Sequence, residues 1–146
     1  MDIVRIYTKD LSLEVPSAPE IFRETAQPEI NLDLDIKNKD LEENHYEVEL
    51  IVTVTAKMND KNVFLIEVKQ AGIFHVAGFT DEQKDHILHA YCPTVLFPYT
   101  REAVNSLVTR ASLPPLTLAP INFDLLYAQN KGLIPQGEGE GSQTKH

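Results

Sequence analysis

The sequence predicts an α+β fold: a four-stranded antiparallel sheet with helices packed on one face. Three observations carry this. From Tyr46 to Ala56 every second residue is apolar (Tyr46, Val48, Leu50, Val52, Val54, Ala56), and Glu47, Glu49, Ile51, Thr53 and Thr55 fall between them. Side chains alternate across a strand, so this segment has one buried face and one mostly polar face. After an Asn59-Asp60-Lys61 turn, Phe64, Ile66 and Val68 repeat the alternation against Leu65, Glu67 and Lys69. Beyond Gly78 the period becomes helical. Val104, Leu107, Val108 and Ala111, with Ala103, form an apolar stripe. That stripe is the natural cover for a sheet, or the seam of a helix pair between subunits.

Taken in order, residues 3–15 read as a first strand. Leu11, Leu13 and Val15 alternate with polar residues, while Val4 and Ile6 sit in the opposite phase. The change of phase predicts a bulge near Thr8–Lys9, or two halves facing different partners. Pro16-Ser17-Ala18-Pro19 ends the strand, and Pro19 opens a short helical turn through Phe22. A second strand, Ile30–Lys37, alternates strictly, and Asn38-Lys39-Asp40 is read as the turn into the hairpin. That makes four strands in succession, all antiparallel by economy of connection. Thr80 with Gln83 predicts a helix start, running to about Ala90. Pro93 and Pro98 are read as breaks, with Pro98 in the first turn of a second helix. Three prolines keep SLPPLTLAPI (112–121) out of helix, yet its leucines call for an apolar bed. It either seals the core or forms one wall of a trench for extended peptide. Asn122 caps a last helix to about Asn130, and residues 131–146 are expected to be a disordered tail.

The chain has 146 residues, enough for one domain with a real core. Its net charge of −9 argues against a nucleic-acid partner and favours basic ones. A single cysteine, Cys92, fits a reducing compartment. The N-terminal segment does not read as a signal peptide, and no apolar run approaches a membrane span, so direct insertion is not expected. A soluble, cytoplasmic protein is expected.

Chemistry is sparse. His86 and His89 share a helix face and Cys92 lies three residues on, a spacing open to a metal or to a nucleophile with its base. A fourth ligand and an oxyanion loop are lacking, so a buried thiol beside surface imidazoles is favoured. Asp33 and Asp35 alternate with core residues, which suits a solvated sheet face better than a catalytic dyad. Asp10, Glu14, Glu47, Glu49 and Glu67 all fall on polar strand positions. They serve solubility, or they form an acidic platform for a basic partner. Leu65, an apolar residue among acids, has the layout of an interface core inside a charged rim.

Four blocks, IYTKDLSLEVPSAPEIF (6–22), EVKQAGIF (67–74), AYCPTVLFPYTREAV (90–104) and LTLAPINFDLLY (116–127), closely resemble the SecB family of protein-export chaperones. They keep that family's order and spacing over about residues 1–130. The resemblance implies a chaperone without catalytic activity, nucleotide, metal or other cofactor. It implies that unfolded secretory precursors are held in the cytoplasm and delivered to the translocase ATPase SecA. It further implies a homotetramer built as a dimer of dimers. SecA is expected on the acidic sheet face through its zinc-binding C-terminal tail, so any zinc belongs to SecA.

Carried over by position, SecA contacts fall on Asp10, Glu14, Leu65 and Glu67. Positions linked to the oligomer fall on Ile66, Val68 and Gln70, and client-groove positions on Tyr7, Leu32, Leu34, Leu116 and Leu118. Ala26 stands where many members carry tryptophan, and Arg110-Ala111 replaces the family's Arg-Gly.

Overall fold

The protein is described here by a computed structural model covering residues 1–132. The expected disordered tail lies almost wholly outside the described residues. Four strands, β1 (Asp2–Glu14), β2 (Glu29–Glu42), β3 (His45–Met58) and β4 (Lys61–His75), make one antiparallel sheet in the order β1-β4-β3-β2. The first strand therefore pairs with the last, not with its neighbour in the chain. The link between β1 and β2 crosses the end of the sheet that carries the β3–β4 turn. There Ile21, in a short 3-10 turn (Glu20–Arg23), is buried in the core, and Asn59 donates to Glu24 Oε1 at 2.9 Å.

The alternation in β3 holds throughout: Tyr46, Val48, Leu50, Val52, Val54 and Ala56 are all buried. Asn59 and Asp60 both take left-handed conformations, with φ of 52° and 64°. A two-residue hairpin loop needs this, and Asn and Asp tolerate it better than most residues. β2 runs past the expected Asn38–Asp40 turn. The chain instead reverses at Glu42, Glu43 and Asn44, all with positive φ. Polar residues at the exposed end of an edge strand need no turn, which is why the composition misled. In β1 the register shifts between Ile3 and Arg5 and between Thr8 and Asp10, placing the second bulge at Lys9 as the phase change predicted.

The helical half begins at Thr80, whose hydroxyl accepts from Gln83 N–H while the Gln83 side chain accepts from Thr80 N–H. This is the expected capping box. α1 (Asp81–His86) does not end before Pro93. It passes through a π turn (Ile87–Tyr91) directly into α2 (Cys92–Arg110), and Pro98 lies inside α2. The wider turn, with Cys92 N–H donating to Ile87 O, lets the chain carry Pro93 without a break. α2 lays Leu96, Val104 and Val108 on the even-numbered residues of β3 and β4, and these side chains form the core. Gly72 sits where a Cβ would come within 2.9 Å of the Phe74 ring and 3.0 Å of the Arg5 carbonyl oxygen.

The proline-rich segment seals the core, one of the two readings. Leu118 is buried, Leu113, Leu116 and Ile121 pack against the cluster, and Asn105 of α2 accepts from Leu116 N–H at 3.1 Å. α3 (Phe123–Asn130) starts at the expected Asn122 cap, which accepts from Leu125 N–H. Phe123 is buried edge-on to Phe97.

Candidate functional site

One face of the sheet lies under the helices and the other is open. Residues opposite each other in a sheet point to the same side, so the register maps the open face in rows. Glu14, Leu65, Thr55 and Asn31 form the first row. Ser12, Glu67, Thr53 and Asp33 form the second, and Asp10, Lys69, Ile51 and Asp35 the third. Next come Tyr7, Ala71, Glu49 and Lys37, then Arg5, Ile73, Glu47 and Lys39. The structure thus brings Asp10, Glu14, Leu65 and Glu67 onto one end of one face. Leu65 and Glu67 are half-buried; Asp10 and Glu14 are exposed. Asp33 and Asp35 join them on the far edge, exposed and on the solvated side as alternation predicted.

Glu47 and Glu49 do not belong to that acidic end. Ala71 is small, so side chains from β1 reach over β4 to β3. Tyr7 donates to Glu47 Oε2 at 2.5 Å, and Lys9 Nζ lies 2.9 Å from Glu47 Oε1 and 3.5 Å from Glu49 Oε2. Burial and the bond to Glu47 push the Tyr7 phenol up to about 12. Partial burial pushes the Glu47 carboxyl up, but bonds from Tyr7 and Lys9 outweigh it and hold the group below its ordinary value.

The covered face is different in kind. Ile66 and Val68 are buried beneath α2, and Gln70, also buried, accepts from the Thr8 hydroxyl at 3.0 Å. Ile66 and Val68 lie inside the core, while Gln70, almost without exposure, lines a shallow hollow with Thr8, Pro98 and Tyr99. Exposed apolar groups lie elsewhere: Ile3, Val4 and Leu11 on the β1 edge, and Tyr91 and Tyr99 along the helix.

The groove positions are not gathered in one chain. Tyr7 lies on the open face at one sheet edge, because the Lys9 bulge resets the phase of β1. Leu32 and Leu118 are core residues with almost no exposure, and Leu116 is half-buried within the proline-rich segment. Leu34 borders a cleft. That cleft, of about 510 Å³, runs between β2 and α3 and is lined by Leu34, Ile36, Leu126 and Tyr127, with Asp85, His89 and Lys131 at its polar end. Strict alternation marked Ile36 for this face; nothing local marked Leu126.

Asp85 ties the cleft together. Its Oδ2 accepts from Tyr127 at 2.7 Å and from Lys131 Nζ at 2.9 Å, and its Oδ1 lies 3.2 Å from His89 Nδ1. The Lys131 bond, with help from Tyr127, holds the Asp85 carboxyl below its ordinary value. His89 Nε2 lies 3.1 Å from Asn38 Nδ2 of β2, and His86 Nε2 lies 2.7 Å from Asp124 Oδ1 of α3. The imidazoles are therefore structural ties. Cys92 is fully buried, and burial pushes its thiol up to about 12, which removes the nucleophile reading. Among the described residues no group of three His, Cys, Asp or Glu is placed to hold a metal ion. No helix among them is long and apolar enough to cross a membrane.

A family model described as SecB, preprotein translocase subunit SecB, matches residues 1–132. Among solved structures, the chain is similar to a Mycobacterium tuberculosis SecB-like chaperone determined with a peptide from an antitoxin. The two share 21% identity with a TM-score of 0.68, over 81% of this chain and 88% of that one. A Streptococcus agalactiae protein of unknown function matches at 12% identity over 82% of this chain and 98% of that one, with a TM-score of 0.34.

Proposed function

The chain belongs to the SecB family, and from that premise we propose that it holds unfolded secretory precursors in the cytoplasm and hands them to SecA. The observation that carries this reading is the end of the open face where Leu65 and Glu67 of β4 lie beside Glu14 and Asp10 of β1. An apolar residue with carboxylates around it suits a basic, partly apolar segment such as the SecA tail. The carboxylates speed encounter, and Leu65 supplies contact that salt does not screen.

Clients bind elsewhere, on apolar surface that includes the Leu34–Leu126 cleft. β2 is an edge strand, so an extended chain gains strand pairing as well as apolar contact there, a combination that tolerates many sequences. The protomers assemble as a dimer of dimers through the β1 edge and the exposed tyrosines of the helix. Linked protomers turn weak contacts into avidity. No catalytic step is involved; selection falls on chains that fold slowly.

A second reading is a SecB-like holdase serving another system. The antitoxin peptide carried by the Mycobacterium tuberculosis neighbour favours it, since that chaperone has the same fold. A refolding assay separates the two. The export reading expects the protein to delay refolding of a secretory precursor and to release it on addition of SecA. Delay without release to SecA favours the second reading.

A further inference from the structure

At the end of the open face away from Leu65, the register sets Asp2, His75, His45 and Glu42 in one row. His45 and His75 are half-buried and stand opposite each other on β3 and β4, with ring centroids 4.9 Å apart and planes tilted by 48°. The Glu43 carbonyl oxygen lies 2.9 Å from His45 Nδ1. A carbonyl only accepts, so Nδ1 carries the proton of the neutral ring. Asp2 Oδ2 faces His75 Nδ1 at 3.8 Å and favours the same tautomer there. In both rings Nε2 then presents its lone pair, and neither Nε2 has a partner among the described residues. The helical imidazoles differ. His86 Nε2 meets Asp124, and both nitrogens of His89 are engaged, by the Asp85 carbonyl and by Asn38.

An imidazole with Nδ1–H held by a carbonyl or carboxylate and Nε2 free is oriented as metal-ligating histidines are. The spacing of the pair fits as well. With metal–nitrogen bonds of about 2.0–2.1 Å, two imidazoles side by side on one ion hold their centroids roughly 4.5–5.2 Å apart. Asp2 and Glu42 close the row on either side with carboxylates, which favour a cation between them. Neutral imidazoles select copper, nickel or zinc over magnesium or calcium.

We propose that His45 and His75 form a two-histidine site for a divalent transition-metal ion, with water in its remaining positions. The ion ties β3 to β4 at the end opposite their hairpin loop. His75 is ten residues along β4 from Leu65, roughly 33 Å at strand spacing, so the site does not depend on where SecA docks.

Zn2+ alone is titrated into the full chain, and the ring resonances of all five histidines are followed by NMR. His45 and His75 are expected to shift together, along one curve that saturates at one ion per chain. His75→Ser and, separately, His45→Asn are each expected to weaken binding at least tenfold, read by calorimetry. Shifts confined to His86, His89 or His146 overturn the inference. So do different curves for His45 and His75, or wild-type affinity in either variant. Mg2+ at the same concentration should leave both rings unmoved; an equal shift would mean that the carboxylates hold the ion, and overturns the inference too. The wild-type resonances keep the test decisive if a variant folds poorly.

Discussion

Tyr7 of β1 donates a hydrogen bond to Glu47 of β3, although β4 lies between their strands. On β4, Ala71 lies opposite Tyr7 and Ile73 opposite Glu47, so the contact runs diagonally past the small Ala71 side chain. The phenol is held up to about 12 by burial and by Glu47. Changing Glu47 to Gln removes the charge and is expected to bring one tyrosine's titration back toward 10, read by ultraviolet absorbance near pH 11. A titration curve unchanged by the substitution would mean the bond is not formed in solution.

Gly72 is a packing requirement. Its missing Cβ leaves room for the Phe74 ring and the Arg5 carbonyl. Gly72→Ala is expected to cost about 1–3 kcal/mol, the usual range for overpacking, measured by urea denaturation. The Phe74 ring should shift before the β1–β4 pairing does, because a backbone oxygen yields less than a side chain.

Asp85 latches α3 to the first helix. Its carboxyl is held below the ordinary 3.8, chiefly by Lys131 and then by Tyr127. A group with a lowered native value lends stability above its unfolded value and loses it as pH falls through the native one. Asp85→Asn should therefore shift the α3 amide resonances at pH 7. Wild type should approach the variant only when pH drops below the carboxylate range. Equal spectra at pH 7 would remove the latch.

The cleft between β2 and α3 predicts a separable client defect. Leu126→Glu puts a charge on its apolar wall. Precursor binding is expected to weaken by roughly tenfold, about the worth of a buried leucine contact, with SecA affinity unchanged. The measurement is the delay of precursor refolding at fixed chaperone concentration.

How much of this was legible follows from what each residue type reports. The β3 alternation, the Thr80–Gln83 box, the Asn59-Asp60 turn and the Asn122 cap are local signals, and each was read correctly. The β2 turn was misplaced because Asn38–Asp40 look like a turn while Glu42 and Glu43, which make it, do not. The proline break failed because a π turn absorbs Pro93, and a widened turn leaves no mark in sequence. The pairing of β1 with β4 is set by contacts some sixty residues apart, which local pattern cannot reach. The phase change at Lys9 was seen, yet it moves Tyr7 to the open face, and that consequence appears only once the strands are paired. The acidic platform was legible, but which of its acids share one end of the face needed the register.

The central proposal is that SecA and clients use different surfaces, with SecA on the end of the open face where Leu65 and Glu14 lie side by side. The most direct measurement is calorimetric titration of Leu65→Arg, and of Glu67→Lys beside it, with SecA and separately with an unfolded precursor. The account predicts at least a tenfold loss of SecA affinity, about 1.4 kcal/mol, with precursor affinity unchanged. Wild-type SecA affinity in both variants, or an equal loss for both ligands, would contradict it.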